Sequence, residues 1–131
     1  MRKLTPILEN LTFAEGPRWR DGRLWFSDFY AFEVIAVDIN GKRETICTVP
    51  EQPSGLGWTP DGTLLIVSMR DQKLMRLVDG KLEEHADLSA HANYWCNDMV
   101  VDAQGGAYVG NFGFNHHAGE APRSTTLVRV S

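Results

Sequence analysis

The chain is short of cysteine, of clustered positive charge and of long apolar runs, and each shortage removes a class of function. Two cysteines, Cys47 and Cys96, with no Cys-x-x-Cys spacing make neither a disulfide framework nor a zinc cluster, so they read as buried thiols. The 13 Lys and Arg residues are scattered and outnumbered by 17 Asp and Glu, for a formal net charge of −4. A phosphate-binding face needs clustered cations, so nucleic acid is not an expected partner. No apolar run approaches the ~18 residues of a membrane-spanning helix, and the first ten residues are too polar for a secretory leader. The expectation is a cytoplasmic protein with no membrane partner. No Gly-x-Ser-x-Gly elbow and no phosphate-cradling glycine loop occur either, which removes two common catalytic frameworks.

What remains is one unit of 131 residues, 43% apolar, long enough to bury a core and suited to small-molecule or metal partners. Its strongest signal is an internal repeat. Gly16-Pro17-Arg18-Trp19-Arg20-Asp21-Gly22-Arg23-Leu24-Trp25-Phe26-Ser27-Asp28 is echoed by Gly55-Leu56-Gly57-Trp58-Thr59-Pro60-Asp61-Gly62-Thr63-Leu64-Leu65-Ile66-Val67-Ser68, and again from Asp98 to Asn111. The turn glycines Gly22, Gly62 and Gly105 set a period of about 40 residues, within the range of four-stranded propeller blades. Asp-Gly or Gln-Gly between short runs of Trp, Phe, Val, Ile and Leu is hairpin chemistry, which excludes helical solenoids of similar period. Second hairpins follow across Asn40-Gly41 and Asp79-Gly80.

The fold class is therefore all-β: a β-propeller of four-stranded blades, with about three blades present in a single partial domain. Blade one covers residues 14–50, blade two 54–89, and an incomplete blade three 97–131. A further strand is expected over Pro6–Phe13, and the third strand of the last blade over Thr125–Val130. Trp19, Trp58, Trp25, Phe26 and Tyr108 read as packing between blades, with Trp58 largely buried.

Equivalent positions in different blades point in equivalent directions. Three residues before Trp19, Trp58 and Val101 lie Gly16, Gly55 and Asp98, and one step earlier lie Glu15, Ser54 and Asn97. These oxygen-bearing side chains in one register converge near the channel mouth, and carboxylate with amide oxygen suits a hard divalent cation. The alternative is that they satisfy turn backbones before the strands. A second polar set, Asp28, Ser68 and Asn111, reads as strand-end turn residues, and His116-His117 as a solvated loop.

With these residues in view, the sequence resembles the family of senescence marker protein, gluconolactonase and luciferin-regenerating enzyme, of which it looks like the N-terminal half. The carriers are Ala14-Glu15-Gly16-Pro17-Arg18-Trp19, Pro53-Ser54-Gly55-Leu56-Gly57 and Cys96-Asn97-Asp98-Met99-Val100-Val101-Asp102-Ala103-Gln104-Gly105. The resemblance implies six blades and one divalent cation, calcium or zinc, at the channel mouth of a hydrolase of sugar lactones or related small esters. It implies that Glu15 is a metal ligand and that Asn97 contacts substrate or water on the metal. Some members carry a substrate-holding Arg where this chain has Trp95, which points to a less anionic or more apolar substrate. The family's remaining metal ligands come from blades four and five, so this chain is expected to carry only part of the site. The alternative function is a half-propeller that associates with itself through open blade edges, acting as a metal or small-molecule binding scaffold without catalysis.

Overall fold

The computed structural model describes residues 1–131 and contains eleven strands in three antiparallel sheets, with two short 3-10 turns. The first sheet orders β1 (Ala14–Arg20), β2 (Arg23–Asp28), β3 (Glu33–Asp38) and β4 (Arg43–Thr48) as a meander. The second repeats it with β5 (Pro53–Trp58), β6 (Leu64–Ser68), β7 (Lys73–Val78) and β8 (Lys81–Asp87). The third has β9 (Cys96–Val101), β10 (Ala107–Asn111) and β11 (Val128–Val130). No helix is long and apolar enough to cross a membrane.

Turn chemistry drives the meander. Asp21-Gly22 and Asp79-Gly80 both hold left-handed backbone, at φ 51° and 74° and at φ 49° and 75°. Two consecutive positive φ angles make the tight turn whose twist matches that of the flanking strands. Asp38 and Asp102 act through their side chains: Asp38 Oδ1 accepts from the Asn40 and Lys42 amides, and Asp102 Oδ1 from those of Gln104 and Gly106.

The core lies between the sheets. Val34, Val49, Leu56, Leu64 and Ile66 join blades one and two, while Leu65, Val67, Leu74, Met99, Ala107 and Val109 join blades two and three. Burying one such Leu or Ile is worth ~1.5–3 kcal/mol, so these two seams hold the blades together. On the far face of blade one, Phe26, Ile35 and Val37 are covered by Leu8, Leu11 and Leu24.

Four sequence expectations are corrected here. Pro6–Phe13 is not a strand: it lays Leu8 and Leu11 on apolar surface and ties its backbone to a side chain instead of a ladder. Thr125–Leu127 lies outside β11, because Thr125 and Thr126 direct their hydroxyls to Asn111 Oδ1 and the His91 carbonyl. Trp19 is 64% exposed, since alternation along β1 turns it away from blade two. Trp58 is half-buried, not largely buried; it meets Trp25 edge to face at 5.3 Å and carries the Arg20 guanidinium 4.9 Å above its ring.

The tie for the N-terminal segment is Asp28, 2% exposed. It accepts from the Thr12 amide at 3.0 Å, the Thr12 hydroxyl at 2.5 Å and the Phe13 amide at 2.8 Å. Burial alone would raise its pKa, but these bonds and the Arg43 charge outweigh it and hold the carboxyl below its usual value. A carboxyl depressed on folding stabilises above its unfolded pKa, about 3.9, and that contribution disappears as pH falls through the lower folded value. Asp28→Asn should therefore lose stability at pH 7 and show a flatter acid limb than the parent. Urea melts at pH 7, 4 and 3 check this; parallel acid limbs would show that Asp28 does not hold the segment.

Candidate active site

β1, β5 and β9 each carry a register irregularity near the start, in β1 one repeat position later than in β5 and β9. Glu15 pairs with Ser27 and Arg18 with Trp25, so Gly16 and Pro17 face the single residue Phe26. Pro53 pairs with Ser68 and Leu56 with Ile66, which sets Ser54 and Gly55 against Val67. Cys96 pairs with Asn111 and Met99 with Val109, which sets Asn97 and Asp98 against Gly110. Such bulges bend a strand and re-aim side chains, and the three, within one residue of a common level, lie where the sequence's widely spaced polar residues come together. Gly16, at φ 62°, supplies the left-handed residue that the first bulge needs.

The gathering is observed. The Ser54 hydroxyl donates to Asn97 Oδ1 at 3.1 Å, and the Ser27 hydroxyl fixes the strand beneath by donating to the Ser54 carbonyl at 2.6 Å. Glu15 lies beside Ser54 and is close enough to feel the charge of Asp98. The Ser54 hydroxyl has one proton to give, and its geometry gives it to Asn97. Glu15 Oε1 is buried with no hydrogen-bond partner. Desolvation by burial raises the Glu15 pKa; the nearby Ser54 hydroxyl opposes that rise and Asp98 adds to it. Asp98 itself turns away to an ion pair with Arg18 at 2.7 Å, and Arg18 also reaches the Met99 carbonyl.

A buried carboxylate oxygen left unpaired is costly, and a cation would satisfy it. Glu15, with the Ser54 and Asn97 oxygens beside it, fits the oxygen chemistry of a hard divalent ion. No three His, Cys, Asp or Glu side chains gather at one point, so Glu15 would be the one charged ligand this cluster supplies.

Glu15 and Asn97 line a cavity of about 200 Å³ with Phe13, Phe29, Tyr30, Met69, Trp95, Phe112, His116 and His117. A neighbouring cleft of about 230 Å³ between Ile7, Leu8, Leu11 and blade one also reaches Glu15 but is otherwise almost wholly apolar; the first cavity, where Asn97 joins Glu15, is the candidate site. Asp28, Ser68 and Asn111 stay out of it. Each bonds a local partner, Thr12 and Phe13, Asp71, and Thr125 and Thr126 respectively. His116 and His117 are exposed, as a solvated loop should be, but their rings reach Phe112, Tyr94 and Trp95 at the cavity rim. Cys96 is buried and Cys47 half-buried; desolvation pushes both thiols up to about 11, so neither is a nucleophile near neutral pH.

Sequence reasoning missed the bulges and the aromatic walls. The available signal was Phe29-Tyr30 directly after Asp28, on the loop side of a strand whose partner begins at Ala14.

No curated protein matches the chain. Among solved structures, a gluconolactonase from Xanthomonas campestris matches at TM-score 0.77 and 18% identity, over 95% of this chain and 46% of that one. Virginiamycin B lyase from Staphylococcus aureus matches at TM-score 0.62 and 14% identity, over 77% and 35%. A calcium-binding regucalcin from Agrobacterium tumefaciens matches at TM-score 0.57 and 21% identity, over 76% and 39%. The chain thus spans less than half the length of these β-propeller structures, and at such identities the likeness shows the fold. The family model described as the SMP-30/gluconolactonase/LRE-like region matches residues 13–131, and the chain belongs to that family.

Proposed function

We propose that this chain carries part of the active site of a divalent-cation-dependent hydrolase of sugar lactones or related small esters, within a propeller of six blades. The observation that carries the reading is the unpartnered, buried Oε1 of Glu15 in one cluster with Ser54 and Asn97. Family membership supports it. A bound calcium or zinc ion supplies Lewis acidity toward the ester carbonyl. Glu15 holds the ion with its one negative charge. The Ser54 hydroxyl fixes the Asn97 amide by its oxygen, which leaves the amide N–H groups free to orient substrate or the attacking water. The aromatic side chains around them exclude bulk water and strengthen each of these contacts.

Cation removal tests this. Lactone hydrolysis by the complete six-bladed protein should fall to the uncatalysed rate after dialysis against a chelator, and return on adding calcium or zinc. Turnover that persists unchanged in excess chelator, with no calorimetric heat on adding either ion, would sink the reading.

A further inference from the structure

The two bulges that present Glu15 and Asn97 are joined by one side chain. Arg18 closes the Gly16-Pro17 bulge of β1, and its Nη1 donates back to the Pro17 carbonyl at 2.9 Å. Its Nη2 donates to Asp98 Oδ1 at 2.7 Å and to the Met99 carbonyl, at the Asn97-Asp98 bulge of β9. Asp98 Oδ1 also accepts from the Met99 amide at 2.8 Å, so that oxygen is held from two sides. The two bonds from Nη2 are the only hydrogen bonds that run directly from β1 to β9. β5 stands between, and its glycines keep the span short. A Cβ on Gly55 would lie 2.8 Å from the Asp98 carbonyl carbon, and one on Gly57 would strike the Val101 side chain.

The Asp98 side chain is 58% exposed and that of Arg18 27%, and ion pairs so open to water add little stability. Geometry is what the contact supplies. The extra residue of a bulge is left out of the strand ladder, so the ladders alone fix poorly how far the β1 bulge stands from that of β9. A planar guanidinium with fixed donor directions does so, and Glu15 and Asn97 flank the points it ties. We infer that Arg18 is a positioning residue: it straps the β1 bulge to the β9 bulge and thereby holds the Asn97 amide in the orientation to Glu15 that hydrolysis needs. This role rests on the lactonase reading above.

The test uses the complete six-bladed protein with gluconolactone as the probe. Arg18→Met combined with Asp98→Ala removes the strap together with one charge of each sign. Expected is a kcat about tenfold lower, with calorimetric calcium affinity within about threefold of the parent. In an Asn97→Ala background the same two changes should lower kcat by less than about twofold more, because the residue that the strap aims is gone. Arg18→Lys keeps the charge without the planar fork and should regain about threefold of the loss. An unchanged kcat without the strap, or a further tenfold loss in the Asn97→Ala background, overturns the proposal. If the double variant does not fold, Arg18→Lys decides: a kcat about threefold below the parent supports the strap, and an unchanged kcat ends it. Should the parent hydrolyse no gluconolactone, the lactonase reading fails by itself, and nuclear relaxation of the Asn97 side-chain amide in the metal-free protein decides this proposal. An amide more mobile in Arg18→Met than in the parent supports it; one equally ordered ends it.

Discussion

In the complete six-bladed protein, replacing Glu15 with glutamine is expected to weaken calcium or zinc binding by about 100-fold and to lower lactone hydrolysis in proportion to lost metal occupancy, while leaving the fold intact or slightly more stable. The two halves of this expectation have separate causes. Glutamine keeps the shape of Glu15 and removes the only charge that the Glu15, Ser54 and Asn97 cluster offers a cation. The same charge is a burden in the metal-free protein, because Oε1 is buried without a partner and desolvation raises the carboxyl's pKa. A carboxyl whose pKa rises on folding holds its proton more tightly when folded, so it stabilises at low pH and costs stability once ionised near neutrality. Removing it relieves that cost. Calorimetric titration of both ions, thermal melts without metal and a lactone assay measure the three quantities independently. Asn97→Ala should separate from Glu15→Gln, lowering turnover more than metal affinity, because its role is to orient substrate or water. If Glu15→Gln binds either ion as tightly as the parent and keeps its rate, Glu15 only begins a strand.

The parts of this fold legible in the sequence are those written in local chemistry. Asp21-Gly22 and Asp79-Gly80 announce tight hairpins because few other pairs tolerate two left-handed residues in succession. The repeat anchored on Gly22, Gly62 and Gly105 converts that local signal into blades, and the blades into a common register for Glu15, Ser54 and Asn97. Ser54 and Asn97 do meet, at 3.1 Å, with Glu15 beside them. Properties that belong to pairs of strands were not legible. A bulge at Gly16-Pro17 exists only relative to Phe26 on β2, and nothing in either segment alone states it. Trp19 and Trp58 occupy equivalent repeat positions, yet one is 64% exposed and the other half-buried. Trp58 has Trp25 and Arg20 beside it, whereas Trp19 has no ring partner. Pro6–Phe13 has the composition of a strand, but the Asp28 carboxylate takes its Thr12 and Phe13 amides. The aromatic walls were legible only in part: the repeat sets Phe29 with Met69 and Phe112, and Phe13 with Trp95, but that these positions share one cavity depends on how the blades stand together.

Gly55→Ala is expected to cost about 3 kcal/mol, the upper end for overpacking a core, and to damage the site along with the fold. Gly55 is buried in β5, and a methyl group there would lie 2.8 Å from the Asp98 carbonyl carbon and 3.0 Å from its Cα, with the Met99 amide nitrogen nearer still. All three atoms are backbone, so no side chain can rotate aside; β9 must move as a unit. Its bulge carries Asn97, and a shift of a few tenths of an ångström stretches the 3.1 Å bond from Ser54 toward the limit of a useful hydrogen bond. The position should therefore behave unlike an open turn glycine such as Gly80. Gly80 has open space around its missing Cβ and a φ of 75°, so Gly80→Ala should cost only about 1 kcal/mol through backbone strain and leave metal and lactone binding untouched. Denaturant melts of both variants, with cation titrations under folding conditions, distinguish crowding at the seam from strain at a turn. If Gly55→Ala unfolds within about 0.5 kcal/mol of the parent, β5 and β9 do not approach as closely as the site requires, and the convergence of Glu15, Ser54 and Asn97 loses its physical basis.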